Sequence, residues 1–284
     1  MRRTRTFLTY LAAGALCLGG VAAILVFVTG SRTDAAAEPP ELQPDLVQRT
    51  PTDVSVRRRA GRFALGFESA VENHGSGPLV VTGNRSAAES DMTADQVIER
   101  ADGSRVYEGG VGRIRYTRSG GHDHWHYLRF DRYELRRASD HALARPDRKT
   151  GFCLGDRYDP GRELPGKAEE PVLEGDCRKN EPQSREVLQG ITVGYGDDYP
   201  AYLEGQSIDV TGLPSGLYEL VHRANGDRRV RESRYSNNAS SVLLRIDWRG
   251  GPDEVPDLER LRSCPRRERC AARADPPRQP ALRR

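Results

Sequence analysis

Lysine is almost missing from this chain. Of its 44 basic residues only Lys149, Lys167 and Lys179 are lysines, and the other 41 are arginines. Arginine keeps its charge and is a poor amine nucleophile, so any chemistry that needs a free amine is confined to three positions. Histidine and cysteine are also sparse, at six and five. The net charge is only +3, and no long basic stripe with interleaved aromatics precedes the tail, which argues against a nucleic-acid partner. Past the first thirty residues or so, no amphipathic stretch of helical period is long enough to build a helical bundle. What remains is 284 residues at 36% hydrophobic content, enough for one globular domain with extensions or two small ones.

The longest uncharged run, Phe7 to Val28, follows the basic flank Met1-Arg2-Arg3-Thr4-Arg5. It matches the ~20 residues that a helix needs to cross a bilayer, and the basic flank belongs on the cytoplasmic side. Residues 1–30 are therefore expected to be an N-terminal transmembrane helix with its N-terminus inside, or a signal helix cleaved near Ala35-Ala36-Ala37. Either way the remainder lies at the extracellular face of the membrane or is secreted. Cys17 falls inside the run. Disulfides persist outside the cell, and order along the chain suggests Cys153 with Cys177 and Cys264 with Cys270, the other pairings remaining open.

Residues 31–43 read as a polar, proline-containing linker. From Asp45 short segments rich in β-branched and aromatic residues alternate with Gly, Asn and Asp clusters, as in FALGFESAVEN, HWHYLRFDRYELR and GLYELVHRANGD. That rhythm predicts an all-β fold, an antiparallel sandwich-like domain with long loops over 44–250. Residues 156–185 hold four prolines and many acids and are too long for a hairpin connection. Residues 251–284 are Arg- and Pro-rich and are expected to be a mostly disordered tail.

The stretch Gly120-Gly121-His122-Asp123-His124-Trp125-His126-Tyr127 holds half of all the histidines at a spacing of two. On a strand His122, His124 and His126 share one side while Asp123 and Trp125 point the other way. Three neutral imidazoles in a row make a facial metal site with positions left open, suited to Zn, Cu, Fe or Ni. A zinc hydrolase would require a base, for which Glu134 or Asp131 can be nominated, although nothing in their spacing singles them out.

GHDHWHYLRFDRYEL, followed in order by RKTGFCL, GYGDDYPAYLEGQSIDVTGLPSGLYELV and ESRYSNN, resembles the catalytic domain of the lysyl oxidase family, bacterial members included. The likeness starts near Arg62, in RFALGFESAVENHGSGPLVV, and runs to about Arg245. It implies that His122, His124 and His126 hold one copper ion, and that a lysine and a tyrosine join as lysine tyrosylquinone. The family's lysine stands just ahead of a Phe-Cys-Leu sequence, here Lys149. Its tyrosine lies seven residues before the Gln of a Gln-x-Ile-Asp-x-Thr strand, which counted back from Gln206 is Tyr199, with Tyr195 and Tyr202 nearby. Only an uncharged amine can add to an oxidised phenol ring, so a lysine kept among arginines suits the cross-link.

The implied reaction is copper-dependent oxidative deamination of primary amines, peptidyl lysine included, to aldehydes. Oxygen is the oxidant, and ammonia and hydrogen peroxide are released. Asp197, two residues before the tyrosine, is the candidate base, against the reading of a turn residue that the composition of GYGDDYP favours. Gly194 and Gly205 replace cysteines of the animal members, and Arg132 replaces a histidine. The competing expectation is an extracellular β-sandwich binding module with a structural metal at the three histidines.

Overall fold

A computed structural model of the chain describes residues 37–118, 123–149 and 151–270. The expected N-terminal helix, His122, Thr150 and the last fourteen residues lie outside the described residues. Among the described residues every regular element is a strand, and no helix is long and apolar enough to cross a membrane.

The alternation in Arg62–Asn73 shows why the sequence folds as it does. From Arg62 to Val71, Phe63, Leu65, Phe67, Ser69 and Val71 are buried and the residues between them are less so, a period of two that a strand satisfies. This strand organises one sheet. Thr52–Arg59, Leu46–Gln48, Gly196–Tyr199 and Ser207–Asp209 all pair with it, all antiparallel.

A second sheet runs in the order Gly151–Phe152, His124–Leu128, Arg105–Thr117, Asp91–Arg100, Leu79–Asn84, Glu186–Ile191, with Glu41–Leu42 on the outside of Asp91–Arg100. The third runs Leu143–Pro146, Asp131–Arg137, Gly216–Ala224, Ala239–Asp247, Asp257–Cys264. All three sheets feed one apolar core: Phe63 and Phe67 from the first, Met92 and Trp125 from the second, Leu135 and Leu244 from the third. The all-β antiparallel expectation stands, with three sheets in place of the two of a simple sandwich.

Two sequence boundaries need correction. Glu41–Leu42, placed in the linker, is a short strand, and Asp257–Cys264, placed in the disordered tail, pairs with Ala239–Asp247 over seven positions. The latter is an edge strand with exposed Glu259 and Arg260, so its charges read as tail although its backbone is in a ladder.

The long segment before Glu186–Ile191 has no ladder, yet it is held in place. The Cys153–Cys177 disulfide closes it, and the second pair is Cys264–Cys270. The buried Asp156 carboxylate accepts from the amides of Leu173 and Thr192, at 2.8 Å each, and of Val172 at 3.1 Å. A buried carboxylate that is not paired with a cation needs this many donors to offset its lost hydration.

Candidate active site

The histidine strand is fixed from its core side. Trp125 and Tyr127 are fully buried there. The Trp125 ring packs edge-on against Tyr116 at 5.5 Å and its indole N–H donates to the Glu181 carbonyl, while the Tyr127 hydroxyl donates to the Val111 carbonyl at 2.8 Å. Burial of two such rings contributes about 2–3 kcal/mol each and leaves the strand little rotational freedom. His124 and His126 are thereby held on the opposite face, with Nε2 atoms 2.7 Å apart and ring centroids 4.5 Å apart. The two imidazoles converge on one point, as the spacing of two predicts. Among the described residues no cluster of three metal-ligating side chains forms, and His122, the third of the row, is outside them.

Gly151–Phe152 pairs with Tyr127 and Leu128 on the free edge of that strand. Gly151 is required there, because a Cβ would stand 2.7 Å from His126 Cβ. The chain thus delivers Lys149 to the cleft whose wall also includes His126. Across from it Gly205, at φ +80°, leaves room for the lysine stem; a Cβ would lie 3.1 Å from Lys149 Cβ and Cγ. Lys149 Nζ stands 4.7 Å from the centroid of the Tyr199 ring and 5.0 Å from that of Phe152, and the two rings meet edge-to-face at 5.1 Å. The lysine and tyrosine singled out 50 residues apart in sequence are therefore neighbours. Tyr202, one competitor, is 79% exposed.

The other competitor has a lysine of its own. Lys167 Nζ lies 5.4 Å from the Tyr195 ring centroid, a second lysine–tyrosine pair that spacing alone did not reveal. Electrostatics separates the two. Lys167 donates to both oxygens of Asp159, at 2.7 and 2.8 Å, and that bond raises its pKa, which keeps it charged. Among the described residues Lys149 Nζ donates to the Glu204 carbonyl alone, at 3.4 Å, and burial lowers its pKa to about 8. At pH 7 about a tenth of Lys149 is then neutral, on the order of 300-fold more than for an amine at 10.5.

Asp197 lies on the strand Gly196–Tyr199, opposite Val71, and is no turn residue. It is 1% exposed, and burial raises its pKa to about 8, so at neutral pH it carries its proton. The Tyr199 hydroxyl is within donating distance of two acceptors, Asp197 Oδ2 at 2.7 Å and the Cys153 carbonyl at 3.1 Å. Asp197 Oδ1 is left without a hydrogen bond, 3.9 Å from Arg157 Nε.

The nominated hydrolase bases are otherwise engaged. Glu134 pairs with Arg136 at 2.7 Å, and Asp131 is buried with its oxygens accepting from Ser69 and the Arg132 amide. Arg132 itself pairs with Asp227 at 2.6 Å.

An open cleft of about 920 Å³ reaches this ensemble; His126, Lys149, Gly151 and Gly205 form part of its wall. Tyr199 lies beneath, packed on Phe152. The arrangement places an imidazole pair, a partly neutral amine and a phenol hydrogen-bonded to a buried carboxyl around one opening.

Known proteins resemble the segment of the chain that builds this site. The family model for lysyl oxidase matches residues 110–250. Lysyl oxidase homolog 2 of Homo sapiens is 29% identical over 170 residues, 57% of this chain and 20% of that protein. Lysyl oxidase homolog 2 of Pongo abelii is 32% identical over 127 residues, 44% of this chain and 14% of that protein. Protein-lysine 6-oxidase of Gallus gallus is 31% identical over 132 residues, 45% of this chain and 26% of that protein. The chain thus spans about a quarter or less of the length of these relatives. The matched segment contains the histidine strand, Lys149 and the Tyr199 strand, and the chain belongs to the lysyl oxidase family.

Proposed function

We propose that this chain is a copper-dependent amine oxidase. It converts primary amines, lysine side chains of extracellular proteins and peptides among them, to aldehydes with O₂, releasing ammonia and hydrogen peroxide. The observation that carries this reading is Lys149 Nζ at 4.7 Å over the Tyr199 ring, in a cleft whose wall includes His126. A binding module with a structural metal would have no use for a lysine whose charge is suppressed beside a buried phenol. Attachment through the N-terminal segment, or secretion, would put the domain outside the cell.

His122, His124 and His126 are the copper ligands in this reading. The fit is chemical: neutral imidazoles suit copper, and the Nε2 atoms of His124 and His126 already converge. Copper held there would supply the oxidative chemistry with O₂ needed to form lysine tyrosylquinone from Lys149 and Tyr199, the electron sink for amine oxidation.

The remaining work belongs to side chains. Lys149 would be the nucleophile in forming that cofactor, because its Nζ faces the Tyr199 ring and is partly neutral. Phe152 holds the Tyr199 ring edge-on, and the Cys153 carbonyl fixes its hydroxyl. Asp197, its pKa raised to about 8 by burial, would hold or move a proton at the Tyr199 hydroxyl, with which it is hydrogen-bonded.

Copper dependence tests the proposal. The full-length protein in nonionic detergent, stripped with chelator, should release no peroxide from a primary amine, and copper but not zinc should restore release. His126→Ala should bind copper roughly 100-fold or more weakly and fail to recover. Equal peroxide release by zinc-loaded protein would overturn it.

The pH dependence of cross-linking follows from Lys149. Its depressed pKa means the protonated, unreactive form disappears as pH rises through about 8. On adding copper to metal-free protein, the initial rate of cross-link formation should climb about tenfold from pH 6 to 7 and level off above about 8. A rate still climbing tenfold per unit at pH 9.5 would show that Lys149 has an ordinary amine pKa.

A further inference from the structure

The cleft is charged in a sense that does not suit its substrate. Beside His126 and Lys149 its wall carries Arg59, Arg62, Arg145 and Arg148, against Glu204 and Asp209. Two of the arginines are occupied. Arg62 donates to Asp209 at 2.7 Å, and Arg145 donates to the Ala144 and Thr211 carbonyls at 2.9 and 3.4 Å. Arg59 and Arg148 are exposed, and neither has an ion-pair partner among the described residues. Arg148 immediately precedes the lysine proposed for the cofactor. Arg59 lies directly across the ladder from Arg62. Like charges opposed on neighbouring strands are destabilising, so the arrangement has a cost that the fold does not offset at Arg59.

A primary amine approaches as an ammonium ion and meets this positive wall. A second cation on the substrate would be repelled again. An anion on the substrate would offset the repulsion and give the two guanidinium forks a partner they match in shape.

Resting on the amine oxidase reading above, we propose that the preferred substrate is a primary amine whose carbon skeleton also bears a carboxylate, and that Arg148 and Arg59 are its specificity-determining residues. The carboxylate seats on the two unpaired guanidinium groups at the cleft wall and leaves the amine to reach inward, past Lys149 and His126. The proposal concerns selection alone and adds no chemical step.

Three amines of matched length test it: 6-aminohexanoate, hexylamine and 1,6-diaminohexane. With full-length, copper-loaded protein in nonionic detergent, peroxide release should give a kcat/KM about tenfold higher for 6-aminohexanoate than for hexylamine, with the diamine lowest. Calorimetric titration of the copper-free protein should show the same order in Kd, tenfold being about 1.4 kcal/mol. Arg148→Gln and Arg59→Gln should each lower the 6-aminohexanoate to hexylamine ratio, and the double variant should bring it near one. Arg249→Gln, at an exposed arginine that pairs with Asp247, should leave the ratio unchanged. Equal binding of the three amines, or a ratio indifferent to both cleft variants, overturns the proposal. Selective binding of 6-aminohexanoate that Arg148→Gln abolishes, with no amine oxidised, would uphold the carboxylate site and sink the oxidase reading instead.

Discussion

Lys149→Arg should abolish quinone staining and reduce amine-dependent peroxide release to the level of copper-free protein. The reasoning starts from the amine. Lys149 Nζ stands over the Tyr199 ring and loses its proton near pH 8 because burial disfavours the ammonium form. Arginine ionises at 12.5 or above, so the neutral fraction at pH 7 falls by a factor on the order of 10⁴ to 10⁵. Its charge is also spread over three nitrogens, which makes it a poor nucleophile. The fold should tolerate the change. Lys149 is half-buried beside an open cleft, and its one hydrogen bond among the described residues, at 3.4 Å, goes to a backbone carbonyl. Thermal unfolding should therefore shift by no more than about 2 °C, as for a surface substitution. Staining that persists in this variant would move the cross-link elsewhere, and Lys167 beside Tyr195 is the other pair the structure offers.

Removing the Cys153–Cys177 disulfide, by Cys153→Ser with Cys177→Ser, should produce the largest loss of stability. The bridge spans 24 residues of a segment without a ladder of its own. Loop-closure entropy gives about 3.5 kcal/mol for such a loop, or roughly 10 °C in Tm for a domain of this size. Position makes the effect functional as well. The Cys153 carbonyl accepts from the Tyr199 hydroxyl, and the Cys177 carbonyl accepts from the Trp125 amide, which lies between His124 and His126 in the chain. The disulfide therefore ties the histidine strand to the tyrosine anchor. Differential scanning calorimetry and quinone staining of the double variant should show both losses together. An unchanged Tm would mean that the loop is held by its other contacts, chiefly Asp156.

Much of this was legible in the sequence, for identifiable reasons. Alternation in FALGFESAVEN fixes a strand and its inward face. Spacing of two puts His124 and His126 on one side of another. Counting seven back from Gln206 reaches Tyr199, the tyrosine that packs beside Lys149.

Other features depend on what surrounds a residue, which order along the chain does not state. GYGDDYP has turn composition, yet Gly196–Tyr199 is a strand because Glu72 and its neighbours pair with it, and burial there makes Asp197 an acid. Asp257–Cys264 shows the charges of a tail because one of its edges is free. Lys167 and Lys149 read alike until Asp159 is found bonded to the first. The cleft arginines come from segments separated by some ninety residues, and in a chain this rich in arginine nothing local marks them out.

The central claim is that Lys149 and Tyr199 of this chain become one cofactor. Peptide mass mapping of the copper-loaded, full-length protein tests it most directly. The expected result is a single cross-linked species joining the Lys149 and Tyr199 peptides, present in the wild type and missing from Lys149→Arg. Copper-loaded protein that yields the Tyr199 peptide unmodified would contradict the account.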